Sequence, residues 1–179
     1  MTTLRTSRLT LRPPGPADAA AVLAIHRDPR TCAHNPSDAL ATHADAAELC
    51  GRWLAHWERH GFGYWVVRRH GEPEVAGFCG VKAMTLADRP VLNLFYRFDP
   101  AFWGGGLASE AATEVVRWAA VHRPEMPVVA RVRPANSASH RVAVRAGLVR
   151  AAHLDEPGFD GVDELYTAGW VSPPVPPLP

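Results

Sequence analysis

The spacing of apolar positions along this chain predicts an ordered series of strands and helices. RLTLR, residues 8–12, alternates apolar with polar residues, the pattern of a half-buried strand. PPGPADAAAVLAIHRD then reads as a helix in which Gly15 caps, Pro16 suits the first position and Asp18 complements the positive end. A second helix starts near Thr42, whose spacing to Asp45 fits a capping box. Its Ala46, Leu49, Cys50, Trp53, Leu54 and Trp57 recur at the helical period, and Gly61 supplies the stop. The Trp53/Trp57 stripe reads as packing. The polar stretch TCAHNPSDALATH between the two helices is long enough to suggest a functional loop.

The middle of the chain is β-rich. Strands are predicted over 64–69 and 75–82, around a turn at His70, Gly71, Glu72 and Pro73, and again over 91–98 after a connecting loop. Trp65 and Phe78 fit the core. A helix over 107–122 carries Ala108, Ala111, Ala112, Val115, Val116, Trp118 and Ala119 on its apolar face and ends before Pro124. A strand over 128–132 follows, closed by Pro134. Asn136 or Ser137 then caps a short helix that ends at Gly147. Strands over 148–153 and 163–170 complete the set. The crossover from 91–98 through the helix to 128–132 makes those two strands parallel in a sheet otherwise built of hairpins. The expected architecture is a single α/β (α+β) domain over 1–171, with a mixed, mostly antiparallel sheet flanked by helices. PPVPPLP suits neither sheet nor helix, so 172–179 reads as a polyproline tail.

Composition narrows the function classes. A formal net charge of +1 leaves no basic footprint for nucleic acid. Arg5, Arg8 and Arg12 break up the N-terminal segment, so it lacks the apolar core of a signal peptide, and no apolar run could cross a bilayer. Cys32, Cys50 and Cys79 are an odd set without a CxxC pair, which fits buried free thiols in a reducing cytoplasm. His56 and His60 stand at i, i+4 without the glutamate placement of a zinc-protease motif or a third ligand. No metal is expected there, and the pair reads as a solvated helix end.

The candidate chemistry lies in FWGGGLASEAATEVV, where three consecutive glycines run into a helix. A glycine-rich turn at a helix start exposes backbone N–H groups that the helix cannot use, and the helix dipole backs them. Such a nest suits phosphate, and glycine lets a bulky anion approach without meeting a Cβ. The glycine spacing fits neither a P-loop nor a dinucleotide fingerprint.

LNLFYRFDPAFWGGGLASEA resembles the acyl-CoA-binding motif of the GNAT N-acetyltransferase superfamily, and is most similar to the branch that includes the ribosomal-protein-alanine N-acetyltransferases. The signature Arg/Gln-x-x-Gly-x-Gly/Ala falls on Trp103, Gly104, Gly105, Gly106, Leu107 and Ala108, with Trp103 departing at the first position. RTSRLTLRP, GFCGVK, NSASHRVAVRAGL and DELYTAGW match the branch in the expected order, so the resemblance covers nearly all of the chain. It implies that the parallel strands splay, that N–H groups from Trp103 to Ala108 hold the CoA pyrophosphate, and that Leu94, Phe95 and Tyr96 pair with the pantetheine arm. It implies, too, that an N–H near Phe95 or Tyr96 polarises the thioester carbonyl. Asn136 matches the asparagine that contacts the pantetheine arm; as a residue it equally suits a helix N-cap. Ser139 matches the serine near the CoA sulfur, where its hydroxyl would serve the leaving thiolate. The tyrosine acid of many superfamily members has no counterpart among Ala143, Val144, Arg145, Ala146 and Gly147.

No general base stands out. A lysine of pKa near ~10.4 is only ~0.04% deprotonated at neutral pH, whereas an α-amine of pKa ~7.7–8.0 is about a tenth free, so a site without a base favours amines of low pKa. Asn93 cannot act as a base. Glu110 and Glu114 lie on the CoA-side helix, where the helix start explains Glu110; Asp155, Glu156, Asp163 and Glu164 could reach the site through water but read by default as surface charge. The expected activity is transfer of an acetyl group from acetyl-CoA to a primary amine, either a peptide N-terminus or a small molecule. The alternative is a non-catalytic acyl-CoA-binding sensor or scaffold. Neither nucleic acid nor a membrane is an expected partner, and the sequence leaves homodimerisation open.

Overall fold

In a computed structural model of the protein, which describes residues 2–158 and 161–171, the strands follow the order β1-β2-β3-β4-β5-β6-β9-β7, with β8 paired to β9. The tail expected over 172–179 lies outside the described residues. The strands are β1 (Leu4–Arg5), β2 (Leu9–Arg12), β3 (Tyr64–Arg69), β4 (Gly77–Leu86), β5 (Arg89–Phe98), β6 (Val128–Val132), β7 (Val149–Arg150), β8 (Glu156–Gly158) and β9 (Gly161–Ala168). Four α-helices, α1 (Ala19–Arg27), α2 (His43–His60), α3 (Leu107–His122) and α4 (Ser137–Arg145), flank them. Among the described residues only β5 and β6 run parallel, as the crossover through α3 requires. Among the described residues no helix is long and apolar enough to cross a membrane.

Side-chain alternation along β5 divides the interior. Leu94 and Phe98 enter a core shared with Ala111, Val115 and Trp118 of α3. On the opposite face, Phe95 packs against a second core containing Val22 and Ile25 of α1 with Ala46 and Trp53 of α2. Trp65 and Phe78 are fully buried, one in each core. The α2 boundaries follow the expected signals. Thr42 Oγ1 accepts the Asp45 N–H while the Asp45 carboxylate accepts the Thr42 N–H, and Gly61 closes the helix at φ 75°. All three cysteines are free and buried.

Several boundaries differ from the sequence reading. β4 extends to Leu86 and turns straight into β5 through Ala87 and Asp88, both left-handed at φ 47° and 59°. Two left-handed residues match the twist of a tight hairpin, but Ala-Asp lacks the glycine that usually signals one. β1 is too short to show alternation. The strand expected over 148–153 is confined to β7, because a 3₁₀ turn at Ala152–Leu154 follows; the additional β8 forms a hairpin with β9. The first helix opens as a 3₁₀ turn at Pro16–Asp18, and there Asp18 is a buried ion-pair partner more than a dipole complement. It accepts from the Gly15 N–H at 2.7 Å and from Arg12 at 2.5 and 2.8 Å. Burial alone would raise its pKa; the Arg12 and Gly15 hydrogen bonds more than reverse this, and the net shift is downward.

Candidate active site

β5 and β6 pair only at Leu92 with Val128 and at Asn93 with Val129, and then part. Leu92 N–H donates across this pair to Pro127 O, while Asp99 N–H faces the other way, to Ala76 O beside β4. The β4–β5 register is unbroken from Arg89 to Phe98, so alternation turns the Leu94 and Tyr96 amides toward β6; the Asn93–Val129 pairing takes the Leu94 N–H, and that of Tyr96 is left in the opening. The Phe95 amide faces β4. Of the two N–H groups expected near the reacting carbonyl, only that of Tyr96 is presented to the groove.

The opening widens into a cavity of about 620 Å³ bounded by β5, the glycine bend, the start of α3, β6 and α4. Its lining includes Leu94, Phe95, Tyr96, Trp103, Gly104, Gly106, Leu107, Ala108, Asn136 and Ser139, which brings together residues scattered over the expected motifs. Gly105 belongs to the bend but does not line the cavity. Gly104 and Gly106 have φ of 82° and 75°, left-handed values that a side chain disfavours, and a Cβ on Gly104 would meet nothing within 4 Å. Among the described residues, the N–H groups of Gly104, Gly105 and Gly106 donate to no protein acceptor. Trp103 is different: its N–H already donates to Pro100 O at 3.2 Å and its indole N–H to Phe98 O at 2.9 Å. The donor set therefore starts at Gly104 and continues into the first turn of α3.

Glu110 does more than complement the helix start. It accepts from Thr6 Oγ1 at 2.5 Å, Ser7 Oγ at 3.1 Å and the Arg8 N–H at 3.0 Å, and pairs with the Arg8 guanidinium at 2.6 Å. Arg8 also donates to Gly105 O at 2.9 Å. Burial would raise the Glu110 pKa, but the hydroxyl and Arg8 bonds outweigh it and leave the carboxyl lowered. This network ties the β1–β2 turn to the bend and fixes the bend's shape before any ligand arrives.

Asn136 caps α4, with Oδ1 accepting the Ser139 N–H at 3.0 Å, while its side chain lines the cavity. Ser139 O accepts the Tyr96 hydroxyl at 3.0 Å, and the Ser139 side chain also interacts with that phenol. Burial pushes the Tyr96 phenol up to about 12, so it stays protonated. Sequence reading missed Arg141 and Arg145, one helical turn apart on α4. Both line the cavity, and neither has a carboxylate partner among the described residues. Their i, i+4 spacing after a capping asparagine was the available signal.

A second cavity of about 300 Å³ lies on the α1–α2 face, and Phe95 lines both. Trp53, Tyr64 and Phe95 form its aromatic wall, so Trp53 is not packing alone. Asp38, from the long loop, accepts Arg97 Nη2 at 2.7 Å, and the guanidinium lies over the Phe95 ring. His56 is no solvated helix end: Nδ1 meets Phe62 O at 2.8 Å and Nε2 meets the Ala83 N–H at 3.2 Å, which fixes a neutral tautomer with no free nitrogen. His26 is buried and bonded to Val22 O, and burial with the Arg97 charge pushes its pKa down to about 4. The acids near the last strands are not free surface charges either. Asp155 and Glu164 pair with Arg150, Glu156 with Arg131 and Asp163 with Arg133.

The acetyltransferase (GNAT) domain family matches residues 8–149. YkkB of Bacillus subtilis is 29% identical over 100 residues, 54% of this chain, and the match spans 58% of that relative's length. An acetyltransferase from Agrobacterium tumefaciens has the same fold, with a TM-score of 0.78 and 28% identity over 94% of each chain. RimL, a ribosomal L7/L12 α-N-protein acetyltransferase solved with coenzyme A, shares the fold at a TM-score of 0.75 and 16% identity, over 93% of this chain and 97% of its own. The parting strands, the nest at the start of α3 and this family match agree: the chain belongs to the GNAT acetyltransferase family.

Proposed function

We propose that the protein transfers an acetyl group from acetyl-CoA to the nitrogen of a primary amine by direct attack. The observation that carries this reading is the cleft between β5 and β6, which ends on the unpaired N–H groups of Gly104 and Gly106 in the glycine bend at the start of α3. The nest would take the pyrophosphate, with Leu107 and Ala108 contributing helix-start amides. Arg141 and Arg145 add positive charge at the same end. The pantetheine arm would add to the edge of β5 along Leu94, Phe95 and Tyr96, with the Tyr96 N–H as the free donor, as an extra strand does. The Tyr96 N–H would then stabilise the oxyanion that forms as the amine adds to the thioester carbonyl. Asn136 contacts the arm while capping α4. Ser139 offers its hydroxyl to the departing thiolate.

His56 has no free nitrogen, and His26 is too weakly basic to accept a proton from an ammonium group near neutral pH. The site therefore suits an amine already partly deprotonated in water. CoA thiol release from acetyl-CoA, measured across a panel of peptides and small amines, tests the reading. Amine-dependent release is expected. Tight acetyl-CoA binding with no turnover of any amine would replace the enzyme with a sensor.

A further inference from the structure

The second cavity carries information about the acceptor, granted that transfer takes place beside it. We propose that the acceptor is a small amine bearing an anionic group at its far end, not a protein N-terminus. Size argues first. A cavity of about 300 Å³ is at the lower end of small-molecule sites. The loop over it is tied down at two points, by Asp38 to Arg97 at 2.7 Å and by Asn35 to Arg133 at 3.3 Å. A small amine is accommodated whole in this volume, whereas a peptide could insert only its first residue.

The walls select a planar or apolar body. Tyr64 stacks on Phe95 with ring centroids 4.7 Å apart, and Trp53 meets Tyr64 edge-on at 5.5 Å. Leu40 and Leu49 complete this apolar part.

Charge then gives the cavity a direction. Asp38 sits at the Arg97 end, near the meeting point with the cofactor groove. Its Oδ2 is engaged by Arg97, but Oδ1 has no partner among the described residues, which leaves an acceptor for an N–H of the incoming amine. Lys82 lies across the sheet from Asn93, four residues earlier on β5 than Arg97. At ~3.3 Å per strand residue this places the two backbone positions roughly 13 Å apart. Lys82 pairs with no carboxylate among the described residues, and Arg52, held by Glu48, adds a second cation to the lining. The imidazole of His56, fixed neutral by its two hydrogen bonds, does not disturb this polarity. An amine whose nitrogen points at Asp38 and Phe95 would place a distal carboxylate toward Lys82.

The test uses the full chain, acetyl-CoA and three acceptors: phenethylamine, its para-carboxylated analogue and a hexapeptide with a free N-terminus. Calorimetry with CoA comes first; absence of CoA binding would refute the transfer reading itself, independently of the acceptor class. With CoA bound, kcat/KM for the carboxylated amine is expected to exceed that for phenethylamine by about tenfold, with the hexapeptide slowest. In Lys82→Glu this preference should fall to about unity while CoA affinity is unchanged, because a distal attraction becomes a repulsion. Leu49→Trp should raise KM for both small amines by about tenfold by filling the cavity, again with CoA affinity retained. A hexapeptide turned over faster than both amines, no turnover of either amine with CoA bound, or a preference that survives Lys82→Glu would each overturn the proposal.

Discussion

The two cavities that meet at Phe95 are built from different materials. The larger joins backbone donors, at the glycine bend, the first turn of α3 and the Tyr96 amide, to side chains that include Arg141 and Arg145. The smaller is bounded by side chains from α1, the long loop, α2, β3, β4 and β5. Backbone donors grip groups that every acyl-CoA carries, so they can stay the same while side chains vary. Side chains distinguish one amine from another. The contrast teaches where each kind of specificity resides, and it can be tested by breaking each cavity separately.

The largest effect is expected on the backbone side. Gly106→Glu sets a carboxylate among the amides meant for a pyrophosphate, and CoA affinity should fall by at least ~100-fold, the loss of several charge-assisted contacts. Its left-handed φ of 75° adds only ~1–2 kcal/mol of strain, so thermal melting should still show a cooperative fold. Unchanged affinity in the calorimeter would remove the nest from the account.

A smaller loss, about tenfold, is expected for Arg141→Ala combined with Arg145→Ala, since both cations are exposed and screened. Titration at low and high salt should show a weaker salt dependence in the double variant than in the native protein. Binding of acetyl-pantetheine, which lacks the nucleotide, should not change. Loss of acetyl-pantetheine binding would place these arginines elsewhere.

Ser139→Ala should reduce kcat by about tenfold with CoA affinity nearly unchanged if its hydroxyl serves the thiolate. Equal losses in both would assign it to cofactor binding.

The mildest effect concerns stability on the acceptor side. Burial, then the Arg97 charge, holds the His26 pKa at about 4, well below its ordinary value. The native protein therefore binds fewer protons than the unfolded chain between these two values. The associated stability is fully present above ~6.5 and is lost as pH falls toward the folded value. Urea unfolding should show a loss of about 2 kcal/mol between roughly pH 7 and pH 5, to which the lowered pKa of His56 adds. His26→Gln should flatten most of this slope. A slope unchanged in that variant would assign the acid sensitivity to other groups.

The same contrast explains what could be read from residues alone. Local signals placed the nest: three glycines, a helix start and a preceding strand are contiguous, and their physics is short-range. Thr42, Gly61 and Asn136 announced helix ends for the same reason. The acceptor cavity is assembled by tertiary packing. Asp38 acquires meaning only when Arg97, 59 residues away, reaches it. His56 looked solvated because nothing in its neighbourhood announces that Ala83 will deliver an N–H to it. Glu110 likewise reads as a helix-start charge until the turn at Thr6, Ser7 and Arg8 folds onto it. Trp103 fell inside the expected donor run, but the 3₁₀ turn at Pro100–Phe102 captures its N–H.

A crystal structure of the protein with acetyl-CoA tests the central claim most directly. The account predicts the pyrophosphate within hydrogen-bonding reach of the Gly104 and Gly106 amides, with the thioester carbonyl facing the Tyr96 N–H. A nucleotide bound elsewhere, with the glycine bend unliganded, would contradict it.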